Sequence, residues 1–102
     1  MEDITVQELK SRIDKGEKLT IIDVRQQFEF DEYNIGAQLV PLDTLPEAML
    51  EMSSLKNKEI IVHCKSGGRS ATAKAYLTQN GFTKVRNLLG GMLEWKIEFE
   101  QH

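Results

Sequence analysis

The spacing of apolar positions changes several times along this chain, and each change marks an element. Val6, Leu9 and Ile13 recur at helical spacing. Thr5 and Glu8, three positions apart, fit a capping box at the start of that helix, and Gly16 suits its end. Leu19 to Val24 is a short apolar run of the kind a buried strand shows. Gln26 to Tyr33 reads as a short helix, and Ala37 to Val40 as a strand closed by Pro41. Thr44-Leu45-Pro46-Glu47 opens another helix, with Leu45, Ala48, Met49 and Met52 on one face. Glu59 to His63 is the next strand. Ser70 to Asn80 is a helix with Ser70 as a suitable N-cap and Gly81 placed to end it. Lys84 to Asn87 reads as a strand. After Gly90-Gly91, the residues Met92, Trp95 and Phe99 align on a last helix.

Short apolar strands alternating with helices predict an α/β domain, its mainly parallel sheet covered on both faces. In such sheets ligands bind beyond the carboxyl ends of the strands. Asp23-Val24-Arg25 and Cys64 both fall at such ends. There is no internal repeat, low-complexity stretch or linker, and 102 residues are read as one domain, 1–102.

Composition narrows the function classes. The net charge of −3 points away from nucleic acid and from an anionic membrane as partners. A single cysteine makes no internal disulfide and no cysteine-rich zinc site, and no metal site or cofactor motif is expected. Met1-Glu2-Asp3-Ile4-Thr5 lacks the basic and apolar regions of a signal peptide, and no apolar run reaches the length of a membrane span. A soluble, cytoplasmic setting is expected, where a free thiol survives.

The candidate chemistry lies in one loop. Cys64 follows the strand Glu59 to His63 and is followed by Lys65-Ser66-Gly67-Gly68-Arg69-Ser70 and then a helix. A lone cysteine is most often a small buried hydrophobe. Two glycines and two cations directly after it have no evident packing use, and they reverse that reading. The helix start presents unpaired N–H groups and the positive end of its dipole. Lys65 and Arg69 add positive charge. Gly67 and Gly68 can take positive φ, which lets successive amides converge on an anion, with Ser66 or Ser70 supplying a hydroxyl. The expected outcome is a thiolate held open to solvent. His63 is adjacent, but neighbours in a strand point to opposite faces, so it reads as a sheet-face histidine with a polar partner rather than as a base for Cys64. His102 is terminal. With no base at hand, the chemistry is one in which a pre-formed thiolate suffices.

These residues resemble a rhodanese (sulfurtransferase) domain over nearly the whole chain. The resemblance rests on Ile22-Asp23-Val24-Arg25, on Phe28-Glu29-Phe30, on Gly36-Ala37, on Val40-Pro41-Leu42, on Cys64 to Ser70, and on Asn87 to Met92 with Trp95. It implies a rhodanese-like three-layer fold with a five-stranded, mostly parallel sheet. It also implies a mechanism in which Cys64 takes the sulfane sulfur of a small anionic donor such as thiosulfate, forms a persulfide, and passes the sulfur to cyanide, a thiol or a protein. Lys65, Ser66, Gly67, Gly68, Arg69 and Ser70 would bind the donor and stabilise the persulfide. Asp23 and Arg25 would support the loop, although a plain buried ion pair explains them equally well. The loop is Cys-x4-Arg; related phosphatases resemble Cys-x5-Arg and cup a phosphate, so the shorter loop favours sulfur. Many rhodaneses carry Gly-His-Ile-x-Gly-Ala where this chain has Tyr33-Asn34-Ile35-Gly36-Ala37. Its Asn34 to Leu42 stretch is more similar to rhodanese modules associated with E1-like adenylyltransferases, which implies a sulfur-carrier system as partner. Two other readings stay open, a non-catalytic interaction module and a small cysteine-dependent phosphatase.

Overall fold

The computed structural model describes residues 1–100; His102 lies outside them. The sheet is built from β1 (Ile21–Asp23), β2 (Gln38–Leu39), β3 (Ile60–His63) and β4 (Val85–Asn87), in the order β2-β1-β3-β4 and parallel throughout. The helices are α1 (Val6–Asp14), α2 (Gln27–Glu32), α3 (Leu45–Met49), α4 (Gly68–Gln79) and α5 (Gly91–Phe99). Strand pairing around β1 extends past its ends, through Ile61 N–H to Thr20 O and Val24 N–H to His63 O, so most of the apolar run Leu19 to Val24 belongs to the ladder.

Four strands stand among the described residues where five were implied. The fifth position is filled by a single parallel bridge, Ile4 to Leu88. Two local features shorten it. Thr5 already caps α1, its Oγ1 accepting from Glu8 N–H at 3.1 Å. On the other side, the Asp3 carboxylate rather than a backbone carbonyl accepts from Asn87 N–H, at 2.9 Å. The capping box is half made, because the Glu8 carboxylate accepts from Arg86 instead of from Thr5 N–H.

Alternation along the strands sorts the core into two layers. Ile22, Val24, Ile60, Val62 and Cys64 pack with Leu45, Ala73, Leu77 and Phe82 under α3 and α4. Ile61 and Leu88 pack with Val6, Leu9, Met92 and Trp95 under α1 and α5. The sheet is therefore covered on both faces, as a parallel sheet requires. Among the described residues, no helix is long and apolar enough to cross a membrane.

Candidate active site

β1, β3 and β4 end side by side at Asp23, His63 and Asn87, and the Cys64 loop rises from that edge. Cys64 Sγ receives Gly67 N–H at 3.1 Å, Ser70 N–H at 3.4 Å and lies 3.4 Å from Ser70 Oγ. The sequence places the helix start at Ser70, whereas α4 begins at Gly68 with Gly67 as its N-cap. Gly67 sits at φ 109°, a left-handed conformation that favours glycine; Gly68 is the first helical residue and is not at positive φ. Gly67 brings no side chain to cap the helix, and the sulfur takes that part: Ser70 N–H, an orphan donor of the first turn, points at Sγ. Ser70 is thus inside the helix, not its cap.

The electrostatics oppose one another. Burial pushes the Cys64 thiol up. Hydrogen bonds from the Ser70 hydroxyl and from the amides of Ser70, Gly67 and Ser66 outweigh it, and the thiol lies below its ordinary value. The sulfur is not open to solvent as expected: Cys64 is only 1% exposed. Lys65, Ser66 and Gly68 around it are exposed. A cleft of about 230 Å³ opens beside the loop, lined by Lys65, Arg25, Phe28, Glu29, Met92 and Leu93, and Cys64 is not part of its wall.

The two expected cations differ. The Lys65 side chain makes no hydrogen bond or ion pair among the described residues. Arg69 is held at two points by Glu29 of α2, Nη1 to Oε1 at 2.7 Å and Nη2 to Oε2 at 2.9 Å. Its charge is therefore already matched. Asp23 and Arg25 form a buried ion pair, with Arg25 Nε and Nη2 donating to the carboxylate at 2.8–3.1 Å and Nη2 also donating to Tyr33 O at 2.7 Å. Their hydrogen bonds tie the end of β1 to the end of α2 and do not reach Cys64.

His63 is fully buried on the face opposite Cys64, and neither ring nitrogen has a hydrogen-bond partner among the described residues. The polar partner expected from the sequence is present but distant: Asp23 Oδ2 lies 3.8 Å from Nε2. Burial pushes His63 down to about 4, against the pull of Asp23, so the ring is neutral at pH 7. Asn34, in place of a histidine, makes a local turn: Oδ1 accepts from Gly36 N–H at 2.9 Å and Nδ2 donates to Phe30 O at 3.1 Å.

Two residues that hold the loop were not picked out as site residues in the sequence. Asn87, at the end of β4, accepts from the Ser70 hydroxyl at 2.5 Å and donates from Nδ2 to Gly67 O at 3.2 Å. Its signal is a polar residue at the end of a strand, on the carboxyl edge of the sheet. Gly91, at φ 54°, lets α5 begin against the loop: a Cβ there would lie 2.5 Å from Cys64 O and 2.7 Å from Lys65 O. The α5 amides of Met92 and Leu93 donate to those same carbonyls at 3.0 and 2.9 Å.

A rhodanese-like domain model matches residues 5–98, and the chain belongs to that family. It is 35% identical over 99 residues to a putative sulfurtransferase, YtwF, of Bacillus subtilis, covering 96% of this chain and 93% of that one. It is 37% identical over 98 residues to the probable adenylyltransferase/sulfurtransferase MoeZ of Mycobacterium tuberculosis, covering 95% of this chain but only 25% of MoeZ. The crystal structure of SSP1007 from Staphylococcus saprophyticus superposes with a TM-score of 0.82 at 38% identity, over 100% of both chains. These likenesses agree with the rhodanese-like α/β fold described above.

Proposed function

We propose that the chain is a sulfurtransferase in which Cys64 carries the transferred sulfur. The Cys64 thiolate attacks the sulfane sulfur of a donor, thiosulfate being the simplest. A new S–S bond forms on Cys64, the donor S–S bond breaks, and sulfite leaves with the electron pair. The terminal sulfur then passes to a nucleophile such as cyanide, a thiol or a protein. The observation that carries this reading is the convergence of two amides and a hydroxyl on Cys64 Sγ. It stabilises the thiolate and, one bond further out, an anionic persulfide. No base is required, which accords with a neutral His63 on the opposite face. Lys65, Ser66, Gly67, Gly68, Arg69 and Ser70 form the surroundings of that sulfur, and Asp23 and Arg25 brace the elements beneath it.

Relatives named sulfurtransferase, putative sulfur carrier protein and adenylyltransferase/sulfurtransferase support a place in a sulfur relay, with a carrier or adenylyltransferase as acceptor. Intact mass after incubation with a donor tests the reading: wild type gains one sulfur, about 32 Da, and Cys64→Ser gains none. A wild-type chain that never gains sulfur from any donor refutes it. The burial of Cys64 favours a second reading, the non-catalytic interaction module. Partner capture by the folded chain that is indifferent to Cys64→Ala, together with no sulfur uptake, would establish that alternative.

A further inference from the structure

The charges around the loop are matched in an uneven way. Two arginines stand around the loop and its cleft, and each is engaged by a carboxylate: Arg25 by buried Asp23, Arg69 by Glu29. Arg69 is close enough to Cys64 that a thiolate there favours its charged form. Glu29 is equally well fixed. Its Oε1 also accepts from Gln26 N–H at 3.0 Å, so the α2 backbone anchors it, and the Arg69 hydrogen bonds hold it down at about 2, ionised at any neutral pH. A second carboxylate, Glu32, which has no ion pair among the described residues, lines the adjoining cleft. Lys65 and Lys96 are the cations left there, and Lys96 lies over the Tyr33 ring at 4.8 Å.

A donor approaching a thiolate meets like charge, and a dianion meets twice as much of it as a monoanion of the same shape. An unpaired Arg69 would offset that repulsion. Resting on the sulfur-transfer reading above, we propose that Glu29, by holding Arg69 in a two-point ion pair, makes this site select sulfane-sulfur donors of low charge over dianionic ones. Thiosulfate is disfavoured, and a donor with at most one negative charge is preferred. The exposed apolar side chains of Phe28 and Leu93 on the cleft wall suit such a donor.

A matched pair of donors isolates the charge. Thiosulfate and the methanethiosulfonate anion differ by one O⁻ replaced with a methyl group. Each gives up its terminal sulfur to the Cys64 thiolate, releasing sulfite or methanesulfinate with the electron pair of the broken S–S bond. Second-order loading rates of Cys64 are read by intact mass for wild type, Glu29→Gln, Glu32→Gln and Glu29→Gln/Arg69→Gln. Glutamine keeps an oxygen to accept from Gln26 N–H, and thermal melts establish that each variant is folded. In Glu29→Gln the ratio of the thiosulfate rate to the methanethiosulfonate rate rises about tenfold, and the thiosulfate rate becomes steeply salt-dependent. The added Arg69→Gln cancels that gain. A ratio that stays within about twofold of wild type in Glu29→Gln, or that rises as much in Glu32→Gln, overturns the proposal while leaving sulfur transfer intact. Loading by neither donor in any variant removes the sulfur-transfer reading itself, and the proposal with it.

Discussion

At the scale of single residues, the decisive competition is for one hydrogen. The Ser70 hydroxyl lies 2.5 Å from Asn87 Oδ1, 3.2 Å from Gly67 O and 3.4 Å from Cys64 Sγ, and it has a single proton to donate. The shortest contact is with Asn87, which ties the start of α4 to the end of β4. Ionisation of the sulfur draws that proton towards Sγ. Ser70→Ala therefore raises the thiol back towards its ordinary value; thiolate absorbance followed against pH reports the shift, and sulfur loading at neutral pH slows about fivefold, the worth of roughly one hydrogen bond. Asn87→Ala leaves Gly67 O and the Ser70 hydroxyl without their shared partner and destabilises the chain by about 1–3 kcal/mol, read as a lower urea midpoint. Glu29 was visible in the sequence only as part of a family stretch. Its partner Arg69 is 40 positions away, and nothing local to either residue announces the pair.

At the scale of elements, the site is made where helix starts meet strand ends. α4 supplies amides to the sulfur, and α5 supplies amides to the carbonyls of Cys64 and Lys65. Gly91 permits the second arrangement. Gly91→Ala places a Cβ into two backbone carbonyls and demands a left-handed backbone from alanine. A loss of roughly 1–3 kcal/mol from the backbone conformation alone is expected, with more from the clash, as is a large loss of sulfur uptake. Urea unfolding and intact mass check the two effects separately. Strand and helix order were legible from apolar spacing, because each element buries one regular face. The start of α4 was not. Ser70 has the chemistry of an N-cap, but a left-handed Gly67 begins the helix earlier and the sulfur satisfies the amide that a serine cap would have taken. The missing fifth strand was illegible for a similar reason: a side chain, Asp3, occupies the place of a backbone carbonyl.

At the scale of the whole molecule, buried charge sets the response to acid. His63 is neutral in the folded chain down to about 4, whereas in the unfolded chain it takes a proton near 6.5. Between these values the unfolded chain binds more protons, so stability falls as pH drops from about 6.5 to about 4, by up to about 3 kcal/mol. His63→Leu removes that slope, which urea midpoints at pH 7, 5 and 4 will show. Glu29 has the opposite charge type and acts lower: its folded pKa is depressed to about 2, so its contribution is present at neutral pH and is lost only as pH falls from 4.5 towards 2. The arrangement of the site at the carboxyl edge followed from the α/β alternation in the sequence. The closure of the sulfur did not, because burial of Cys64 depends on how α4 and α5 settle against β3 and β4.

Because the sulfur stands in for the missing cap of α4, its chemical state and the integrity of that helix's first turn are one equilibrium. Alkylating the thiol, which abolishes its capacity for charge, unzips the turn, and amide hydrogen exchange at Gly67 and Ser70 quickens. A persulfide moves the anion one bond out from Sγ, and exchange at the same amides shifts with it. The backbone next to the sulfur is thereby a built-in reporter of cargo, readable without following any substrate at all.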